Sequence, residues 1–562
     1  MNYSEEIAKL IDIEGVSSEE IAKWITVPPE PDLGDYALPC FRFAKALKKP
    51  PVRIAEELAE RFRGADFLKE VRAVNGYLNF FIDRGDYTEK TLREILEKGA
   101  EYGSTREGEG KTICIDYSSI NIAKPFHIGH LSTTVIGGAL VNLYRKLGYR
   151  VVGINHLGDW GTQFGKLISA FKRWGSREAV EKGSIREMLR LYVKFHDEAE
   201  KDEALNEEAR AYFKKIEDGD EECLALFNLF KELTIREVQK IYDLLGIRFD
   251  SYAGESFYND KMQPVIDALE QKGLLKESEG AKVVDLEADG MPPCLILKAD
   301  GATLYATRDL AAAFYRKQTY DFAKCLYVVA YQQNLHFKQV FRVLELMGCD
   351  WAKDMVHVAF GMVSLEDSGS LSTRRGNVVF LEDVLAQAIE KAKQIMLEKT
   401  PDIENPDETA KKIGVGAVIF STLSANRIKD IVFSFDKVLN FDGETGPYVQ
   451  YAYARCSSVL EKAAFDPAQM SFEDLSPYET EFVRLLGTFP QTVQNAAEKY
   501  EPSFVTRLMA EVAKSFNKFY FECRILGASA GVMHRRLGIC EAARTVLSCG
   551  LGLLNIQTVE KM

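Results

Sequence analysis

Between residues 112 and 362 short apolar runs alternate with longer amphipathic stretches, and this alternation narrows the possible folds sharply. The runs near 112–116, 149–155, 325–330 and 356–362 have strand length. Helix-length segments at 131–147, after Thr307 and after Leu335 separate them. Strand and helix in turn predict an α/β fold: a doubly wound parallel sheet that collects ligands beyond the carboxyl ends of its strands. A charged helical insertion from about 175 to 245 interrupts the series. Its Glu and Lys density reads as a solvated helical surface.

The first strand leads to Lys124-Pro125-Phe126-His127-Ile128-Gly129-His130, and a helical pattern follows from Leu131. Strand, tight loop and helix in that order present backbone N–H groups and a positive helix end to phosphate. His127 and His130, at i and i+3, share one face where the helix begins, and Gly129 between them lets a ligand approach the backbone. The pattern predicts a nucleoside triphosphate at a helix N-terminus, with the imidazoles as donors. The same residues could also form a core strand and helix with two internally satisfied histidines.

A chain of 562 residues exceeds one ordinary core, so about three domains are expected. Residues 1–105 read as a separate α/β module, with helical patterns through Phe43 and Leu47 and from about Val52 to Phe62, then a strand at 75–82. Arg106-Glu107-Gly108-Glu109-Gly110-Lys111 marks its boundary. The α/β alternation places a second domain at 106–400. From about Glu404 strand signals disappear and helical periodicity dominates, which predicts a helical bundle over 401–562.

No run of eighteen apolar residues suggests a membrane span, and the acidic amphipathic N-terminus is unlike a signal peptide. The ten cysteines are scattered without a Cys-x-x-Cys pair, so they read as reduced core thiols of a cytoplasmic protein rather than a zinc site or disulfide framework. A net charge of −13 alone argues against a nucleic-acid partner, although it leaves room for a local basic track.

His127-Ile128-Gly129-His130 matches the HIGH signature of class I aminoacyl-tRNA synthetases, and the wider text from Asp116 to Leu131 resembles the arginyl-tRNA synthetase family. The resemblance covers nearly the whole chain. It implies a Rossmann-like catalytic domain that activates L-arginine with ATP and Mg²⁺, then transfers it to tRNA(Arg), with activation usually dependent on the tRNA. It also implies that the N-terminal module touches the tRNA, through positions such as Asn79 and Phe81. Tyr448, Tyr451 and the terminal Met562 would belong to an anticodon-binding bundle. From the residues alone, the module could equally be a packing domain and the tyrosines core.

The second class I signature, KMSKS, corresponds to Ser370-Leu371-Ser372-Thr373-Arg374-Arg375-Gly376 and lacks both lysines, a degeneracy known in the arginyl family. Activation still builds negative charge on the α-phosphate and the departing pyrophosphate. Ser372, Thr373, Arg374 and Arg375 are therefore ATP-binding candidates beside Lys124, His127, Gly129 and His130. Lys124 matches a lysine thought in the family to replace the missing loop lysine. Neither signature supplies a nucleophile; the work is alignment and charge stabilisation.

A guanidinium substrate needs a carboxylate fork with a phenol or amide oxygen. Asp116, at the end of the first strand, is one candidate. Tyr305 and Asp309, at i and i+4 of a helix start, are others, as is Gln333 after a later strand. Resemblance carries these four to the family's arginine pocket, adds Asn121 as a contact to the substrate backbone, and extends the pocket to Ser118 and His127. The family commonly has Glu where this chain has the shorter Asp116. Asp309 is the expected main selectivity residue, because a buried carboxylate left unpaired rejects neutral analogues. Trp160 and Phe164, in a run after the second strand, fit a pocket floor or simple core. Two rivals remain at this level: a cysteinyl enzyme, whose zinc ligands are absent, and a catalytically silent relative supported only by the altered second signature.

Overall fold

The computed structural model describes residues 3–61, 67–122, 124–365, 379–441 and 443–562. They form two compact units, one of Met1–Tyr102, Cys456–Phe489 and Lys514–Val546, the other of Gly103–Arg455, Pro490–Ala513 and Leu547–Met562.

In the first unit β1 (Tyr36–Pro39), β2 (Leu68–Val74) and β3 (Tyr77–Ile82) make an antiparallel sheet in the order β1-β3-β2. Leu78, Phe80 and Ile82 alternate onto one face and join a core with Ile54 and Ala55 of helix Pro51–Arg61 and with Tyr3 and Ile7. Asn75 and Gly76 both take positive φ, 49° and 81°, as a tight hairpin between right-twisted strands demands. In this unit's helical part, Glu479 is fully buried and receives Arg535 at 3.1 Å and Arg536 at 3.0 Å.

The second unit holds the parallel sheet. β4 (Thr112–Asp116) and β5 (Arg150–Ile154) are followed by an antiparallel meander, β6 (Leu275–Ser278), β7 (Ala281–Val284) and β8 (Cys294–Leu297). The chain then returns to the main sheet as β9 (Lys324–Tyr327) and β10 (Met355–His357), in the order β10-β9-β4-β5. All three pairings are parallel, so the expected doubly wound sheet is present. Strand order reverses between β4 and β9. A crevice is therefore expected where Asp116 lies in register with Tyr327 on one side and Ile154 on the other. Helix Leu131–Lys146 crosses from β4 to β5 and is buried along most of its length. A Cβ at Gly137 would overlap the Tyr117 ring, so close helix-to-strand packing requires glycine there.

The insertion comprises helices Arg177–Ala199, Ala204–Glu217 and Glu221–Leu245, which follow helix Thr162–Trp174. It is more than a solvated surface: Leu191, Phe195 and Phe230 are wholly buried. Trp160 packs on Phe213 at 5.3 Å and is half-buried, while Phe164 packs on Phe227 at 4.8 Å and is wholly core. Two features escape the sequence pattern. The β6–β8 meander consists of four-residue strands, too short for a period to register. In addition, β12 (Ile431–Phe433) lies within the stretch expected to be purely helical and pairs in parallel with β11 (Val363–Leu365). Helices otherwise dominate from Leu381 onward.

Candidate active site

The loop after β4 makes a short 3-10 turn, Ile128–His130, before the long helix. His127 caps that turn. Its Nδ1 accepts the Gly129 N–H at 3.0 Å, while His130 Nδ1 accepts the His127 N–H at 3.2 Å. Each Nδ1 acts as acceptor, so each neutral ring carries its proton on Nε2. The rings lie 4.0 Å apart. Burial, reinforced by the Lys124 charge, pushes His127 down to about 4. Burial first, and then His127, push His130 down to about 3. Two neutral Nε2–H donors thus stand at the helix start. A side chain on Gly129 would come within 2.7 Å of the His127 ring, so glycine is also needed by the turn itself.

The second signature, with Ser372, Thr373, Arg374 and Arg375, lies outside the described residues. Its downstream flank does not. Ile128 N–H donates to the Val379 carbonyl at 3.2 Å, Leu381 N–H to the Phe126 carbonyl at 3.0 Å, and His127 bridges Phe380 antiparallel. The chain leaving 366–378 is therefore joined by its main chain to the HIGH loop.

The arginine candidates are distributed around the switch point. Asp116 is 5% exposed and its oxygens are engaged within the chain: Oδ2 accepts Arg316 Nη2 at 2.7 Å and Oδ1 accepts Ser119 Oγ at 2.6 Å. Both oxygens of this candidate thus already have donors within the chain. Ser118, at φ 70°, is buried and also turned inward. Its Oγ meets Thr134 Oγ1 at 2.9 Å and Tyr242 Oη at 2.8 Å. Ser119 follows at φ 43°, so two successive non-glycine residues hold a conformation that only the surrounding bonds make tolerable. Asn121 is exposed and pairs with Gly158, where a Cβ would overlap its side-chain oxygen.

Tyr305 opens helix Tyr305–Tyr320 with 67% of its surface exposed. One turn later, Asp309 Oδ2 meets His336 Nε2 at 2.6 Å. Burial pushes the Asp309 carboxyl up, but the His336 bond and the charges of His336, His156 and Arg316 outweigh it and hold the group below its ordinary value. Gln333 is exposed in the turn Tyr331–Gln333 after β9. Four groups absent from the sequence-based set complete the cluster. Arg316 also reaches His156 Nδ1 at 3.3 Å and lies 5.2 Å from the Tyr327 ring centre. Glu255 opens the turn Glu255–Lys261; burial pushes its carboxyl up to about 7, opposed by Arg308 and assisted by Asp309 and Asp159. The fourth is His336. Spacing in the sequence gave no sign of these groups, because the elements that carry them meet only in the folded sheet.

Asp159, wholly buried, accepts Lys231 Nζ at 2.5 Å, Ser256 N–H at 2.8 Å and Ser256 Oγ at 2.7 Å. It ties the segment carrying Glu255 to insertion helix Glu221–Leu245.

Of the tRNA candidates, Asn79 is only 3% exposed, between β1 and β2, and presents little surface to an RNA. Phe81 is half-buried under the Arg72 guanidinium at 4.7 Å. Tyr451 is 37% exposed, with Arg455 4.6 Å over its ring, and Tyr448 and Met562 are half-buried.

A parallel sheet with its switch point beside a HIGH loop, and no side-chain nucleophile required, defines a class I aminoacyl-tRNA synthetase fold. The family described as "tRNA synthetases class I (R), catalytic domain" matches residues 91–435, the DALR anticodon binding domain matches 449–562, and the arginyl tRNA synthetase N terminal domain matches 2–82. The chain belongs to the arginyl-tRNA synthetase family. It is 52% identical to the arginine–tRNA ligase of Halothermothrix orenii over 100% of both chains, and 54% identical to that of Clostridium botulinum over 96% of both. Among solved structures it is similar to the Thermus thermophilus arginyl-tRNA synthetase, with a TM-score of 0.82 at 26% identity, covering 100% of this chain and 99% of that one.

Proposed function

We propose that this chain ligates L-arginine to tRNA(Arg). The arginine carboxylate attacks the α-phosphorus of ATP and pyrophosphate leaves. A hydroxyl at the tRNA 3′ end then attacks the carbonyl of the adenylate and AMP leaves. The observation that carries this is the tethered histidine pair, whose two Nε2–H donors stand at the start of the helix that follows β4. The donors and the helix end serve the phosphates, with Lys124, Arg374 and Arg375 as the fixed cations. Mg²⁺ arrives with the triphosphate, whose oxygens are its natural ligands.

Asp309 is the proposed principal guanidinium acceptor, with Glu255 as a second carboxylate and Tyr305 and Gln333 as polar partners. Asn121 takes the substrate backbone. Asp116 acts indirectly, through Arg316. The boundaries proposed are 1–105 for tRNA contact, 106–400 for catalysis and 401–562 for the anticodon. Within these, Phe81, Tyr448, Tyr451 and Met562 are the contact candidates that retain surface. Activation is proposed to need bound tRNA, and the compartment proposed is the cytoplasm, in keeping with ten free thiols.

Aminoacylation with arginine, alongside pyrophosphate exchange with and without tRNA(Arg), tests this function. Asp309→Ala is expected to abolish charging while leaving the unfolding midpoint near that of the parent. A variant that charges at the parent rate would overturn the pocket.

A further inference from the structure

Asp309 sits one turn into helix Tyr305–Tyr320, and His336 sits in the first turn of helix Asn334–Leu346, on the far side of β9 in the chain. The 2.6 Å contact between Nε2 and Oδ2 is a short bond with a carboxylate acceptor, so Nε2 carries the hydrogen and donates it. Both side chains are about a quarter exposed, at 23% and 24%, so the pair lines an accessible surface. The His336 ring is itself set, edge-on, 5.3 Å from Phe337, and Phe337 lies tilted against His357 at 4.6 Å. The donor thus stands on a packed aromatic column, while the acceptor is a two-torsion side chain on a helix.

We propose that His336 is a positioning residue for arginine selection: its Nε2–H holds Asp309 Oδ2 and fixes the carboxylate in the orientation that receives the substrate guanidinium. A carboxylate offers about four acceptor sites, and one donor leaves the rest for the two parallel N–H groups of a guanidinium. Without His336 the carboxylate recovers its rotamers, and arginine has to order it on binding. The effect belongs to ground-state recognition of arginine, away from the phosphates. The inference rests on Asp309 being the guanidinium acceptor.

Two variants of the full-length chain test it, in aminoacylation at saturating ATP and tRNA(Arg). His336→Leu removes the donor; His336→Gln restores a side-chain N–H donor. The leucine variant is expected to raise the KM for arginine about tenfold, the scale of one charge-assisted hydrogen bond, with kcat within about threefold of the parent. The glutamine variant is expected to recover most of that loss, and the KM for tRNA to stay unchanged in both. A leucine variant with the parent's arginine KM overturns the inference, as does a glutamine variant as impaired as leucine. Asp309→Ala, run in parallel, separates the two layers. If it binds arginine normally, the pocket assignment has failed; if it alone is impaired, only the role of His336 has.

Discussion

Arg316 and Asp116 stand 200 residues apart in the chain and meet at 2.7 Å, with 1% and 8% of their side chains exposed. Removing one partner of such a pair leaves the other charge buried and uncompensated, which costs about 3–5 kcal/mol. Asp116→Ala and Arg316→Leu should each lower stability by that order in urea unfolding. The double variant should lose less than the sum of the two, and strict additivity would show that the pair is not energetically coupled.

His127 and His130 are held neutral by burial, at about 4 and about 3, against an ordinary value of 6.5. The unfolded chain takes up protons at these positions as the pH falls below 6.5, and the folded chain does not. Their contribution to stability is therefore present above 6.5 and declines as the pH drops towards 4. His130→Asn, which keeps an acceptor but does not titrate, should show a shallower fall in urea midpoint between pH 7 and 4.5. Identical slopes would place the acid sensitivity elsewhere.

Glu255, raised to about 7, has the opposite sign: ionisation disfavours the folded state as the pH rises from 4.5 through 7. An arriving guanidinium favours the ionised carboxyl. The KM for arginine should fall as the pH rises from 6 to 8, and Glu255→Gln should flatten that dependence and raise the KM at pH 8. A parent enzyme with a level profile would separate Glu255 from the substrate.

Gly158 leaves room for the side chain of Asn121. Gly158→Ala should displace that amide and raise the KM for arginine several-fold, with little change in the KM for ATP. Steady-state kinetics in both substrates distinguish this from a general loss of fold.

Glu479 joins Arg535 and Arg536 in the first unit, and the two Arg535 bonds run to separate oxygens at 3.1 Å. Glu479→Gln leaves two guanidinium groups without their anion and should destabilise the protein by about 3 kcal/mol or more. Thermal unfolding at pH 7 measures it; an unchanged midpoint would mean that water reaches the pair.

The features written in contiguous text were legible in the sequence. The β4 strand, the HIGH loop and the helix behind it follow from one uninterrupted pattern, and Tyr305 and Asp309 follow from a single helical spacing. Relationships that depend on strand order were hidden. The partner of Asp116 is invisible in local text, because Arg316 lies 200 residues further along the chain. His336 lies three residues beyond Gln333, yet nothing in the spacing points it at Asp309. Glu255 acquires its raised pKa from burial, which no local pattern records. Asn79 has the polarity of a contact residue, but the central strand of its sheet encloses it. The β11–β12 pair rests on three residues from each strand, below the length at which alternation can be detected.

The bonds from Ile128 to Val379 and from Leu381 to Phe126 use only amide and carbonyl groups. Such bonds are indifferent to side-chain identity, so any residue but proline at Ile128 or Leu381 keeps the donors of this seam in place. The segment that begins at Val379 is thus moored to the HIGH loop by the peptide backbone, whichever side chains the two stretches carry.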